Sequence, residues 1–352
     1  MKLETRGQVA QTDKRFSSSA EGLRTPNGDS RGVGSLDTLA HSTQNSSSAS
    51  ESQKAVIEVS ESDEEKRYQK RAKRKHITKP LVTRLTDFAK VNDSHLEKSY
   101  RNSIYCSDRV IQEDGRLRSS YCKNRCCLVC EAIKTARYIH LYGPEITSWE
   151  DPHFVTQTLQ TVSADNLKAR LSHMQSEWKQ TVDKARKSGI EAKAVRKLEI
   201  TFNTRTGLFH PHYHFLTHNS TFGEYILERH LDRHRESASE KGQDIRQADR
   251  RSLVELFKYA TKPVSSKRSD EKQAVPLHAL DTIYRSLYRK NVISRVGFIL
   301  KKDIDVEAMD DLVGGNAFRS VEQDIIWEWE QAQADWLDLE TGEALSGYVP
   351  TD

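Results

Sequence analysis

The sequence lacks long apolar runs. None approaches the ~18 consecutive apolar residues of a membrane-spanning helix, so no membrane association is expected. Met1-Lys2-Leu3-Glu4-Thr5-Arg6 has no apolar segment of the kind a secretory signal needs, which predicts a cytoplasmic protein. Apolar residues are scarce overall. Hydrophobic residues make up 36% of the 352-residue chain and the mean hydropathy is -0.76, so part of the chain is expected not to fold. Cysteine is also scarce, and all five cysteines fall between Cys106 and Cys130. Such clustering suits a metal site in a reducing compartment better than a disulfide framework. Neither sign of charge dominates: the net charge is +4 and the pI about 8.6. That balance joins a basic middle to an acidic end, where Arg319 is the only basic residue after Lys302.

Four segments follow from these shifts. Residues 1–75 are rich in Ser, Asn, Gly and charge and read as disordered, ending in the basic run Lys66 to Lys75. That run reads as a solvated linker or short helix, or else as an arm for DNA phosphates. Residues 76–151 hold the cysteines, with order expected from about Leu81. Cys127-Leu128-Val129-Cys130 is a Cys-x2-Cys knuckle, and Cys122 and Cys106 can complete a tetrahedral thiolate site for structural Zn2+. Cys126 can take the place of Cys127 in this reading. Free thiols or a redox pair are the alternatives, and the redox pair lacks a thioredoxin-like setting. Residues 152–302 alternate strand and helix patterns. Residues 303–352 form the acidic tail, in which Ile325, Ile326, Trp327 and Trp329 suggest a short helix.

Within the third segment, Phe154 to Leu159 alternates and reads as a strand. Ala164 to about Lys187 reads as a helix with Leu167, Leu171, Met174 and Trp178 on one side, Ser163 as N-cap and Gly189 closing it. Arg196 to Asn203 alternates again. Thr204-Arg205-Thr206-Gly207 is a turn, and Leu208 to Thr217 reads as the returning strand. Folded as a hairpin, these strands put Glu199 opposite His212. His212 and His214, two apart, share one face of the sheet. Two imidazoles and a carboxylate on one face can hold a divalent cation. The same spacing also suits ordinary core or solvated histidines.

Ser220 to about Ser237 reads as a helix, and so does Ile245 to Lys262. In the second, Leu253, Leu256, Phe257 and Ala260 fall on one side, and Glu255, Lys258, Tyr259 and Lys262 on the other. Tyr259 thus sits on the polar side, one turn from Glu255. It reads either as an amphipathic surface tyrosine or as a phenol nucleophile. In the second case the lysines lower its pKa and offset phosphate charge, and Glu255 can activate water for a later step. Leu277 to Lys290 reads as a further helix, and Val292 to Leu300 as a strand interrupted by Gly297. The ordered part therefore predicts an α+β fold, an antiparallel sheet with helices packed on one face, preceded by the cysteine-rich segment.

These motifs, in this order, resemble the rolling-circle replication initiators of small bacterial plasmids, within the HUH endonuclease superfamily. Phe154-Val155-Thr156-Gln157-Thr158-Leu159 is similar to the first motif, a Phe-x-Thr-x-Thr strand. His210-Pro211-His212-Tyr213-His214 resembles the metal-binding second. Glu255-x3-Tyr259-x2-Lys262 looks like the third, of the single-tyrosine subgroup. The family's upstream Cys-x4-Cys-x2-Cys element matches Cys122, Cys127 and Cys130, which favours Cys127 over Cys126. The resemblance spans roughly residues 100 to 302. Gln157 departs from it, standing where an apolar or small residue is usual.

The resemblance implies a ferredoxin/RRM-like core and a bacterial cytoplasmic setting. It implies metal-dependent nicking and joining of one strand at a plasmid double-strand origin through a 5'-phosphotyrosine on Tyr259, with a 3'-hydroxyl left as primer. Mg2+ or Mn2+ would sit on His212, His214 and Glu199, with His210 outside the ligand set. Origin DNA, presented single-stranded or on an extruded hairpin, is the implied substrate, and a host helicase and DNA polymerase are the implied partners. A relaxase or transposase of the same superfamily is the nearest alternative. A non-catalytic zinc-containing DNA-binding protein, such as a copy-control repressor, is the alternative from another class. It would need the cysteines and basic helices but not Glu255, Tyr259 or the histidine pair.

Overall fold

Alternating apolar and polar residues on either side of the Thr204–Gly207 turn build the hairpin at the centre of the fold. The computed structural model describes residues 61–113, 116–258, 264–265, 273–300 and 325–351. All of them belong to the unit Ile57–Asp352; the other unit, Met1–Val56, lies outside the described residues. In chain order the elements are α1 (Glu61–Val91), α2 (Glu97–Ile104), β1 (Arg109–Glu113), β2 (Arg116–Ser119), α3 (Leu128–Thr147), β3 (His153–Thr158), α4 (Ala164–Lys187), β4 (Ala194–Asn203), β5 (Leu208–Thr217), α5 (Ser220–Arg233), β6 (Asp244–Gln247), α6 (Arg250–Phe257), β7 (Val264–Ser265), β8 (Gln273–Ala274), α7 (Leu277–Ser286), β9 (Ile293–Val296), β10 (Ile325–Glu330) and β11 (Asp335–Asp338). Among these helices none is long and apolar enough to cross a membrane.

The fold is α+β with antiparallel sheets. The central sheet has the order β6-β3-β5-β4-β9. The expected strands at Phe154 to Leu159, Arg196 to Asn203 and Leu208 to Thr217 are β3, β4 and β5, and Glu199 pairs with His212 as the hairpin register required. One face packs on α4, α5, α7 and the second half of α1. Leu167, Leu171 and Met174 of α4 bury against Val155, Phe215 and Phe222, and the Trp178 ring lies 4.9 Å from that of Phe215. Gly189 ends α4 with φ +74. The other face is not bare, as a single helix layer would have left it. Tyr142 and Ile146 of α3, Trp149 just beyond it, and Leu256 and Phe257 of α6 cover Phe154, Val195 and Leu216.

The expected helix from Ile245 to Lys262 is instead a strand followed by a shorter helix. Ile245 pairs with Val155 across β6 and β3. It also packs against Gly223, where any β-carbon would meet Ile245 at 2.7 Å and Val155 at 3.0 Å. The helix starts only at Arg250. There the Asp249 carboxylate accepts from the Ser252 amide at 2.7 Å, and the Ser252 hydroxyl accepts from the Asp249 amide in return. At the far end, β9 stops at Val296 because Gly297 turns at φ +83, against the Ala192 carbonyl.

Two boundary expectations are corrected. Among the described residues α1 starts at Glu61, inside the segment read as disordered, and it buries part of the basic run. Arg71 donates to the hydroxyls of Ser107 (3.0 Å) and Tyr121 (2.6 Å). Lys75 donates to the carbonyls of Cys106 (2.6 Å) and Ile104 (3.1 Å) and to the Asp108 carboxylate. These two cations are structural, and Lys66, Lys70 and Lys73 are the exposed ones. The second correction concerns Ile325 to Trp329, which form a strand and not a helix. Trp327 and Trp329 point inward and Glu328 and Glu330 outward, a period of two. With β11 this strand extends the β1–β2 hairpin into a four-stranded sheet, β11-β10-β1-β2. Trp327, Trp329 and Trp336 form a core there with Ala72, Val110 and Leu117. Residues 303–324 of the acidic tail lie outside the described residues.

Trp336 is fully buried, and its indole N–H donates to the Ser107 carbonyl at 2.7 Å. Replacing it by Ala should cost about 3–5 kcal/mol of stability, measured by urea unfolding. A change within experimental error would mean that the second sheet is peripheral.

Candidate active site and metal centres

The face of the central sheet under α3 and α6 collects the polar residues of β4 and β5. Lys197 pairs with His214, Glu199 with His212 and Thr201 with His210. Glu199, His212 and His214 each offer one ligand atom within 4.8 Å of the others, a group that can hold a metal ion. Their orientations are fixed from behind. The His210 carbonyl accepts from His212 Nδ1 at 3.1 Å, which leaves the Nε2 lone pair free. Thr156 Oγ1 lies 3.2 Å from His214 Nδ1, and His214 Nε2 is 3.7 Å from a Glu199 oxygen. The Phe154 ring stacks on His214 at 5.4 Å.

Burial is the main cause that lowers the pKa of all three histidines in the row. His214, also beside His212, falls to about 4. At neutral pH the imidazoles are therefore uncharged, the form that ligates metal. The donor set of two imidazoles and a carboxylate fits a divalent cation without selecting one. His210 stacks on His212 at 5.2 Å, and its carbonyl, not its ring, positions the neighbour.

Lys197 is the residue that sequence reasoning passed over. It is buried and donates to the Glu199 carboxylate at 2.9 Å and towards the Glu255 carbonyl at 3.4 Å. It therefore ties the site strand to α6. Its signal was available, since Lys197 and Glu199 are two apart on one face of β4. Thr156 was likewise present in the first motif without a role. Gln157, the departure from the motif, faces the opposite side. Its amide bonds His230 Nδ1 at 2.8 Å, and His230 Nε2 donates to the Thr158 carbonyl at 2.9 Å. The residue thus anchors β3 to α5.

Glu255 lies in the last turn of α6, near enough for its charge to act on His214, and its carboxylate pairs with Lys258. The helix ends at Phe257. Thr135 of α3 donates to the Phe257 carbonyl at 2.8 Å, and the Phe257 ring lies between Tyr138 and Tyr142. Lys258 then leaves with φ -56 and ψ 165, which is not helical. The expectation that Glu255 and Tyr259 sit one helical turn apart falls on residues outside those described. Tyr259 and Lys262 lie outside the described residues. A cavity bounded by Arg125, Lys134, Tyr138, Lys197, Phe257 and Lys258 opens at this corner.

The cysteines sort themselves by geometry. The sulfurs of Cys106, Cys122, Cys127 and Cys130 lie within 4.8 Å of one another. Three of the separations are 3.4 Å (Cys106–Cys130), 3.6 Å (Cys122–Cys130) and 3.6 Å (Cys106–Cys127). Four thiolates on one tetrahedral Zn2+ would stand about 3.8 Å apart, whereas a disulfide is about 2.05 Å long. Amides of Cys122 and Lys123 donate to the Cys106 and Cys130 sulfurs. Hydrogen bonds within the cluster, that with Cys106 first, hold Cys122 far below an ordinary thiol and push Cys127 and Cys130 up. Cys126 points away into the main core beside Ser103, and burial raises it to about 12. Of the two neighbours, Cys127 is the one in the cluster.

Cys130→Ser should lower bound zinc and folded yield, whereas Cys126→Ser should leave zinc content unchanged. Metal analysis of the purified variants distinguishes them, and equal zinc in both would remove the cluster as a site. Lys197→Met leaves Glu199 buried without its cation and should destabilise by about 3–5 kcal/mol, read from chemical unfolding.

Comparison with known proteins gives a consistent picture. Residues 116–231 match the replication protein family. The chain is 29% identical over 175 residues to protein rep of Staphylococcus aureus, covering 45% of this chain and 76% of that protein. It is 24% identical over 245 residues to protein rep of Streptococcus pneumoniae serotype 2, covering 59% and 73%. No solved structure matches. The family match takes in Cys122, Cys127 and Cys130 together with Glu199, His212 and His214, and it stops before α6. Across residues 116–231, then, this chain is similar to the replication protein family.

Proposed function

We propose that the protein initiates rolling-circle replication of a plasmid by nicking and rejoining one DNA strand at the double-strand origin. The observation that carries this is the position of Glu199, His212 and His214 beside the end of α6, the segment that leads directly into Tyr259. In this reading those three side chains would hold Mg2+ or Mn2+, which would supply Lewis-acid polarisation of the scissile phosphodiester. The Tyr259 phenol attacks phosphorus, the phosphorus–O3' bond breaks, and the released 3'-oxygen takes up a proton. The 5'-phosphate remains on Tyr259, and the 3'-hydroxyl primes synthesis by a host polymerase behind a host helicase.

The remaining roles are assigned by position and chemistry. Lys258 and Lys262 offset phosphate charge on either side of Tyr259. Glu255, two residues from the end of α6, activates the second nucleophile when the cycle ends. The cationic and aromatic lining of the neighbouring cavity suits a nucleotide of the bound strand. The cysteine cluster holds Zn2+ as a structural ion.

The deciding experiment is mass spectrometry after incubation with Mn2+ and single-stranded DNA from the protein's own origin. A nucleotide adduct on the peptide containing Tyr259 is expected. Tyr259→Phe should abolish nicking while leaving DNA affinity intact, and His212→Ala should slow it by at least about 100-fold. EDTA should stop cleavage and Mn2+ restore it. DNA that is bound but never modified, by a protein with its zinc in place, would make the chain a DNA-binding module and not a nickase.

A further inference from the structure

On the opposite face of the central sheet, the helix layer brings together a second set of metal-ligating side chains. His173 and Glu177 are four apart on α4 and therefore share one side of that helix. His234 caps the C-terminal end of α5. His173 Nε2 lies 3.1 Å from Glu177 Oε1, and His234 Nε2 lies 2.8 Å from the same oxygen. All three ligand atoms fall within 4.8 Å of one another.

These contacts are short, yet neither is aligned as a hydrogen bond. Glu177 is only 4% exposed. Both of its carboxylate oxygens, and His234 Nε2, are buried without a hydrogen-bond partner among the described residues. A buried carboxylate left in this state is costly. Arg233 Nε, 3.6 Å away, offsets some of its charge without supplying a bond. Donor atoms that converge without aligning on one another are arranged as they would be around a shared cation. His230, whose ring lies 4.9 Å from that of His234, is already committed to Gln157 and Thr158 and supplies no ligand.

We propose that His173, Glu177 and His234 form a separate transition-metal site, taking Zn2+ or a cation of like preference, that clamps the end of α5 to α4. Two imidazoles and one carboxylate accept Zn2+ and other transition-metal ions. Donors on a tetrahedral Zn2+ stand about 3.3 Å apart, close to the 2.8 and 3.1 Å found here. Three protein ligands leave a fourth position open. The His173 side chain is 62% exposed, which places the open side at the surface and makes the ion exchangeable. The site is independent of the nicking chemistry proposed above, since none of its residues belongs to that centre.

The test is calorimetric titration of the full-length protein with ZnCl2, with the wild type compared with His173→Ala. His173 is exposed, so this variant should melt at the wild-type temperature before zinc is added. The expected result is one fewer zinc equivalent in the variant, or binding of that equivalent weakened by at least about tenfold. The part of the zinc-induced rise in melting temperature due to this site should be lost as well. Glu177→Gln should give the same loss. If it fails to fold, His173→Ala decides alone. Identical stoichiometry and affinity in wild type and His173→Ala would overturn the proposal.

Discussion

The pairing of β4 with β5 sets the side-chain arrangement on both faces of the central sheet. In an antiparallel pair a slip of one residue sends every side chain to the other face. Here the register puts Lys197, Glu199 and Thr201 against His214, His212 and His210 on one face. On the other face it sends Leu198, Ile200, Tyr213 and Phe215 into the main core. The core therefore enforces the site. Two well-packed faces allow one register, and that register brings a carboxylate and two imidazoles together without help from a loop.

The second constraint is the end of α6. A capping box starts the helix, Phe257 is held in an aromatic niche, and Thr135 takes the last carbonyl. Lys197 reaches the same helix from below while pairing with Glu199. A single lysine thus belongs both to the sheet that carries the ligands and to the helix that delivers the next segment. Its burial is tolerated because carboxylate and carbonyl oxygens surround the ammonium group.

Much of the central sheet was legible in the sequence, because the alternation from Arg196 to Asn203 and the returning strand from Leu208 to Thr217 flank a Thr-Arg-Thr-Gly turn. The cysteine cluster was legible as well: the residues alone left Cys126 and Cys127 open, the family resemblance favoured Cys127, and side-chain direction agrees with it. The misreadings share a cause. Polar residues were taken to mark solvent. Arg71 and Lys75 in α1 looked solvated and Lys197 in β4 was given no role, and all three are buried with partners. The acidic content of the final segment likewise hid a period of two in Trp327 and Trp329. The group of His173, Glu177 and His234 left no local signal, since α4 and the end of α5 meet only in the tertiary structure.

The bond from Trp336 to the Ser107 carbonyl spans 229 positions along the chain. A ribosome adding about 5–20 residues per second needs about 10–50 s between making the two ends of that contact. Until Trp336 emerges, Val110 and Leu117 of the hairpin and Ala72 of α1 have no lid, and the hairpin flanked by Cys106 and Cys122 is unbraced on that side. During synthesis the thiols of Cys106, Cys122, Cys127 and Cys130 therefore precede the tryptophans that complete the neighbouring core. Capture of an ion by those four sulfurs would hold the hairpin in place over that interval.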